Sequence, residues 1–236
     1  MTSRTRIAVL ASGGGSNLQA LLDHHAALGE RRRGEVALVI ASRATARALD
    51  RARAAGVEAR VLDSPDDGDA MLALLRDRGV EIVVLAGYLK LVPRVVTRAY
   101  RGRMLNVHPA LLPAFGGPGM YGLRVHQAVL DAGTRVSGPT VHFVDEEYDR
   151  GAIVAQWPVP VFEEDSAETL AARVLRVEHA LLPRVVEALA GDAIALDDDG
   201  RVRGAFLVGP HGSAFTLPRD DARSTLGEEI DAALAV

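Results

Sequence analysis

Two residues near the middle of the chain have the types and spacing for proton-transfer chemistry. Asn106 and His108 sit in Met104-Leu105-Asn106-Val107-His108-Pro109-Ala110-Leu111-Leu112-Pro113. Side chains alternate faces along an extended chain, so an amide and an imidazole two residues apart point the same way. Pro109 holds the preceding residue out of the helical region and keeps that geometry. An amide beside an imidazole at a strand end can bind a carbonyl oxygen and move a proton. It can equally be a core pair satisfied by its neighbours, so the elements that carry it must decide.

Residues 6–11 form a short apolar run, followed by Ser12-Gly13-Gly14-Gly15-Ser16-Asn17 and then Leu18, Leu21 and Leu22 at helical spacing. The pattern reads as strand, glycine turn and helix. Further strands are expected at Val36–Ile40, Val57–Leu62 and Val80–Ala86, with helices at about 45–55, closed by Gly56, and 70–78, stopped by Gly79. Strands alternating with helices imply right-handed crossovers and a parallel sheet, whose ligands bind at the carboxyl ends of strands. Gly13–Asn17, Gly87–Val92 and Asn106–Pro113 all fall at such ends. Beyond the glycine-dense loop 114–122, a helix is expected at 125–132 and two strands at 138–144 and 153–161. The acidic loop Asp145-Glu146-Glu147-Tyr148-Asp149-Arg150-Gly151 lies between those strands. Ser166 with Glu168 starts a long helix to about 189, with a kink expected at Pro183. Short strands at 202–207 and 214–217 and a terminal helix are expected in the tail. The fold class is α/β: a Rossmann-like, mostly parallel sheet flanked by helices, with the late strands adding a partly antiparallel edge. All 236 residues are read as a single domain.

Composition narrows the function classes. The chain has 236 residues, is 48% hydrophobic, has a formal charge of −4 and contains no cysteine. There is no global basic field for nucleic acid, no thiolate metal site and no cysteine nucleophile. Arg31-Arg32-Arg33 lacks interleaved aromatics and reads as a solvated loop. No apolar run reaches membrane length. A soluble, cytoplasmic protein without nucleic-acid or membrane partners, monomeric or homodimeric, is expected.

Motifs narrow them further. The glycine turn lacks a third fingerprint glycine, Leu18 standing there, and the second strand ends Ala41-Ser42-Arg43 rather than in an acid, which disfavours a nicotinamide cofactor. Freed backbone amides, the first helical turn, Ser16 and Asn17 instead suit one phosphate. No Gly-Lys-Ser/Thr sequence follows. No histidine spacing suits a metal, no GxSxG elbow is present, and His126, His142, His179 and His211 read as structural. The site then needs a carboxylate, and Asp149, Asp145 and Glu147 are all open to that role.

Four segments resemble the phosphoribosylglycinamide formyltransferase family: Leu10–Ala20, Leu85–Leu91, Leu105–Pro113 and Val141–Val144. The resemblance runs from about residue 6 to 190, leaving 191–236 as a short β-like and helical tail. It implies transfer of a formyl group from 10-formyltetrahydrofolate, a co-substrate, to the amine of glycinamide ribonucleotide in purine synthesis, without a metal. It implies that His108 is the acid and oxyanion partner and that Asn106 bonds the formyl oxygen. Asp149 would raise the pKa of His108, since a nearby carboxylate favours imidazolium. Gly14, Gly15, Ser16 and Asn17 would hold the substrate phosphate and Glu178 its ribose hydroxyls. Leu89, Lys90, Leu91, Val92, Asn106 and Val144 would line the pterin pocket. Familiar members carry arginine at Lys90 and another near Asp66–Asp69, which leaves the folate tail to Arg94 or a partner chain. Other superfamily readings are a formyltetrahydrofolate hydrolase, expected to carry an N-terminal regulatory domain, and a sugar-nucleotide formyltransferase. A methionyl-tRNA formyltransferase would need a C-terminal RNA-binding barrel. A catalytically silent ligand-binding regulator is the reading from a different class.

Overall fold

The computed structural model describes residues 4–204. Its strands are β1 (Thr5–Ala11), β2 (Gly34–Ala41), β3 (Glu58–Val61), β4 (Ile82–Leu85), β5 (Met104–His108), β6 (Val136–Ser137), β7 (Thr140–Phe143), β8 (Ile153–Gln156), β9 (Val159–Pro160), β10 (Ile194–Leu196) and β11 (Val202–Gly204). The α-helices are α1 (Ser16–Leu28), α2 (Ala48–Ala54), α3 (Gly68–Asp77), α4 (Arg94–Ala99), α5 (Leu123–Asp131) and α6 (Ala167–Ala190). The main sheet has seven strands in the order β3-β2-β1-β4-β5-β7-β8. Its first five strands pair parallel and the last two antiparallel. This is the expected α/β architecture.

Residues Ile7–Ala11 and Ile82–Val84 are fully buried, because helices cover both faces of the sheet. One core layer packs β1 and β4 side chains against Leu18 and Leu21 of α1 and Val174, Val177 and Leu181 of α6. The other joins Leu10 and Val83 to Met71 and Leu75 of α3 and Val96 of α4. After β1 the chain builds outward to β2 and β3, then crosses back to β4 on the other side of β1. That reversal opens a crevice at the carboxyl ends of β1 and β4, where open α/β sheets bind ligands.

Several expectations are corrected. Helix α4 was not foreseen, since Arg94-Val95-Val96-Thr97 is rich in β-branched residues of low helix propensity. The expected strand 153–161 divides at Trp157-Pro158, because Pro158 lacks the N–H that a central strand needs. Its second part, β9, leaves the main sheet to pair with β6. Helix α2 begins at Ala48, later than expected. Helix α6 continues through Pro183 as one element, started by a capping box between Ser166 and Thr169. In the tail, β11 takes up the start of the expected strand 202–207 and pairs with β10, which was not foreseen. The expected strand 214–217 and terminal helix lie outside the described residues.

Candidate active site

A cleft of about 550 Å³ opens at the switch point. All three strand-end segments reach it, and so do the residues expected for catalysis, the substrate and the pterin: Asn106, His108, Asp149, Gly14–Asn17, Glu178, Leu89–Val92 and Val144.

At the end of β5, His108 is almost fully buried. Its Nε2 lies 2.8 Å from the Phe115 carbonyl, and its Nδ1 lies 3.5 Å from Asp149 Oδ2. Burial is the largest influence on His108 and lowers its pKa. Asp149 and the Phe115 carbonyl push the other way, and His142 adds to the lowering. The carboxylate therefore acts on the imidazole in the expected sense, but desolvation outweighs it and the net shift is downward, toward the neutral ring. A neutral ring that donates from Nε2 to Phe115 leaves the Nδ1 lone pair facing Asp149.

Asp149 is set by its backbone. It adopts φ 56°, a left-handed conformation that Asp tolerates better than most residues. The loop that carries it must turn back at Gly151, where a Cβ would stand 1.8 Å from the Phe143 carbonyl oxygen. At the other end, Glu146 pairs with Arg98 at 2.6 Å and Arg94 at 3.2 Å, pinning the loop to α4. Arg94, the suggested partner for a folate tail, is thus already engaged. Asp145 accepts from the Glu147 N–H, a local turn bond, and Glu147 is exposed. All three line the cleft, but Asp149 is the one that reaches His108, and its Oδ2 accepts from the Gly117 N–H at 2.8 Å. Burial raises its pKa, but the contact with His142, the charge of His108 and the Gly117 N–H reverse the sign, and the net shift is downward.

The strand pairing adds a residue that the sequence reading placed in the core. His142 of β7 lies opposite Asn106 in the antiparallel register. Its Nδ1 is 2.7 Å from the Phe143 carbonyl, which assigns the proton to that nitrogen and makes Nε2 an acceptor. Asn106 Nδ2 lies 3.1 Å from His142 Nε2 and 3.4 Å from Asp149 Oδ1. Only the strand register brings His142 here; its sequence neighbours give no hint. Thr140, fully buried and opposite His108 in the same register, donates to the Ala110 carbonyl at 2.6 Å and accepts from the Leu112 N–H at 3.0 Å. It fixes the chain just beyond His108. On α5, buried His126 also reaches the cleft, and burial followed by the His108 charge lowers its pKa to about 4.

At the other end, Gly15 caps α1 at φ 72°. A Cβ there would meet Ala48 Cα at 2.7 Å, so only glycine fits. Asn17 Nδ2 donates to Glu178 Oε2 at 2.6 Å. Burial raises the Glu178 pKa to about 7 against the Asn17 bond. Between the two ends, Ser12 Oγ accepts from the Leu89 N–H at 3.0 Å and ties the loop after β4 to the end of β1. Leu89 and Leu91 stay 48% and 43% exposed, and Lys90 is exposed beside them. Among the described residues no cluster of three His, Asp or Glu side chains could hold a metal ion. No described helix is long and apolar enough to cross a membrane.

A switch-point cleft with an anion turn at one end and an Asn-His-Asp set at the other belongs to a recognised class. The formyl transferase family model matches residues 5–186, and the chain belongs to that family. The chloroplastic phosphoribosylglycinamide formyltransferase of Arabidopsis thaliana is 44% identical over 204 residues, covering 84% of this chain and 69% of its own length. The trifunctional purine biosynthetic protein adenosine-3 of Bos taurus is 38% identical over 205 residues, and this chain spans only 20% of it. Glycinamide ribonucleotide transformylase 1 from Symbiobacterium toebii superposes with a TM-score of 0.78 at 41% identity, covering 86% of this chain and 95% of the other. Within the family, these relatives place the chain among the phosphoribosylglycinamide formyltransferases.

Proposed function

We propose that the chain transfers the formyl group of 10-formyltetrahydrofolate to the amine of glycinamide ribonucleotide, with Asn106, His108 and Asp149 as the catalytic set. The observation that carries the reading is the convergence in one cleft of an anion turn, a buried carboxylate and the Asn-His-Asp set. The Gly14–Asn17 turn takes the phosphate on backbone N–H groups and the α1 dipole. Glu178 accepts from the ribose hydroxyls. Asn17 Oδ1, buried and without a hydrogen-bond partner among the described residues, is a second acceptor for them. The folate pterin lies between the Leu89–Val92 loop and Val144, against backbone groups.

Attack of the amine on the formyl carbon creates an oxyanion and a positive nitrogen. The oxygen develops its charge between Asn106 and His108, and takes over the Nε2 hydrogen from the Phe115 carbonyl. One amide hydrogen of Asn106 is committed to His142. The other, in the long 3.4 Å contact with Asp149, is the one that yields to the substrate. A developing negative charge beside His108 adds to Asp149 and opposes the effect of burial, so the ring can carry the proton released by the attacking amine until the folate nitrogen takes it. The proton leaves the attacking amine and ends on the departing folate nitrogen, with no covalent enzyme intermediate.

The test is release of tetrahydrofolate from 10-formyltetrahydrofolate, followed spectroscopically with and without glycinamide ribonucleotide. Release should require the ribonucleotide and fall roughly 10²- to 10⁴-fold in His108→Ala. Release without an acceptor would instead mark a hydrolase, and no release with either would end the enzyme reading.

A further inference from the structure

We propose that Arg51, with Arg43, positions the acceptor's phosphate by holding the glycine turn from behind; the inference rests on the phosphate reading of that turn. Three consecutive turn carbonyls are held from the α2 side. The Ser12 carbonyl accepts from Arg43 Nε at 2.7 Å, Gly13 from the Ala48 N–H at 3.2 Å, and Gly14 from Arg51 Nε at 2.9 Å. In a trans peptide the N–H points opposite to the C=O. The N–H groups of Gly13, Gly14 and Gly15 are thereby turned away from α2, toward the cleft that these glycines line. Successive N–H groups aimed at one concavity form an anion-binding nest.

Neither arginine lines the cleft. Each places its charge on the far side of a peptide group whose carbonyl it polarises, which strengthens the N–H on the near side. Arg51 also donates from Nη1 to Gln19 Oε1 at 3.0 Å, so one half-buried guanidinium clamps both the turn and the first turns of α1. Glycine makes the turn able to approach an anion but leaves its peptides free to rotate. The arginines remove that freedom before substrate arrives, so the phosphate meets donors already aimed.

A plain staple between α2 and the turn would make the same hydrogen bonds, and substrate comparison separates the two roles. In Arg51→Gln the KM for glycinamide ribonucleotide should rise about fivefold, the size of a network coupling near 1 kcal/mol. The kcat and the KM for formyl-folate should hold. With the dephosphorylated riboside as acceptor, kcat/KM should be the same in both enzymes. Arg51→Lys, which keeps the charge but loses the fork, should recover part of the loss. Equal losses with ribonucleotide and riboside, or no loss with either, would overturn the proposal. Should Arg51→Gln fail to fold, Arg43→Gln, on an exposed side chain, must show the same phosphate-selective loss. Calorimetric binding of inorganic phosphate to the native chain and to Arg51→Gln stands apart from the catalytic reading. A weaker Kd in the variant supports the positioning role even if the formyl acceptor is a different phosphate ester, and an unchanged Kd refutes it.

Discussion

Glu178→Gln should make the protein more stable at alkaline pH while impairing its use of the ribonucleotide. The Glu178 carboxyl is 6% exposed, and burial raises its pKa from 4.5 to about 7. A raised carboxyl pKa means that the folded state prefers the protonated form. Its contribution to stability is complete below the unfolded value and is lost as pH rises through the folded one. Linkage with these two values gives a penalty of about 1 kcal/mol near pH 5 that grows to about 3 kcal/mol near pH 8. Glutamine keeps an oxygen for the Asn17 amide and cannot ionise, so the variant escapes the penalty. Relative to the parent it should gain about 2–3 kcal/mol between pH 5 and pH 8, or roughly 5–10 °C in Tm for a chain of this size. Urea unfolding of both proteins at the two pH values reads the difference directly. A stability difference that does not change with pH would mean that Glu178 ionises freely in the fold, and the account of a desolvated carboxylate awaiting hydroxyl donors would fall.

Asp149→Asn should move the limb of the pH–rate profile governed by His108 to lower pH, because removing the carboxylate leaves only the Phe115 carbonyl to oppose burial and His142. An unmoved limb would mean that another group sets the histidine's charge. Gly15→Ala forces a side chain into a left-handed position and onto Ala48, and should cost about 3 kcal/mol in urea unfolding. It should also raise the KM for the ribonucleotide, and unchanged stability would contradict the packing at that turn.

What the sequence disclosed depended on the range of the interaction behind it. Strands β1 and β4 were legible because both faces are covered and their residues form unbroken apolar runs ending in glycine. The pairing of Asn106 with His108 was legible because alternation along a single strand is local. Helix α4 was not, since its β-branched residues are helical through packing against α3 rather than through propensity. His142 was missed for a different reason. Its place opposite Asn106 is fixed by the register of two strands 36 residues apart in sequence, and nothing near it in the chain records that register. Asp149 could not be separated from Asp145 and Glu147 until the loop path was known, and that path depends on Gly151, on the φ of Asp149 itself and on the arginines of α4.

On the catalytic roles proposed above, the effect of Asp149 on His108 also explains why three residues serve where two would bind a formyl oxygen. Burial holds the His108 pKa down although a carboxylate stands 3.5 Å away. Without Asp149, the oxyanion alone would have to offset the desolvation of imidazolium. Without burial, the carboxylate would hold the ring charged from the outset, and little of the electrostatic gain would be specific to the transition state. Catalysis depends on interactions stronger in the transition state than in the ground state. Setting burial against one fixed carboxylate leaves the histidine on the neutral side, and the charge created by the reaction tips it across. The Gly117 N–H, donating to Asp149 Oδ2 at 2.8 Å, favours the ionised carboxylate while it does so, which gives the glycine-rich loop a part in the proposed chemistry.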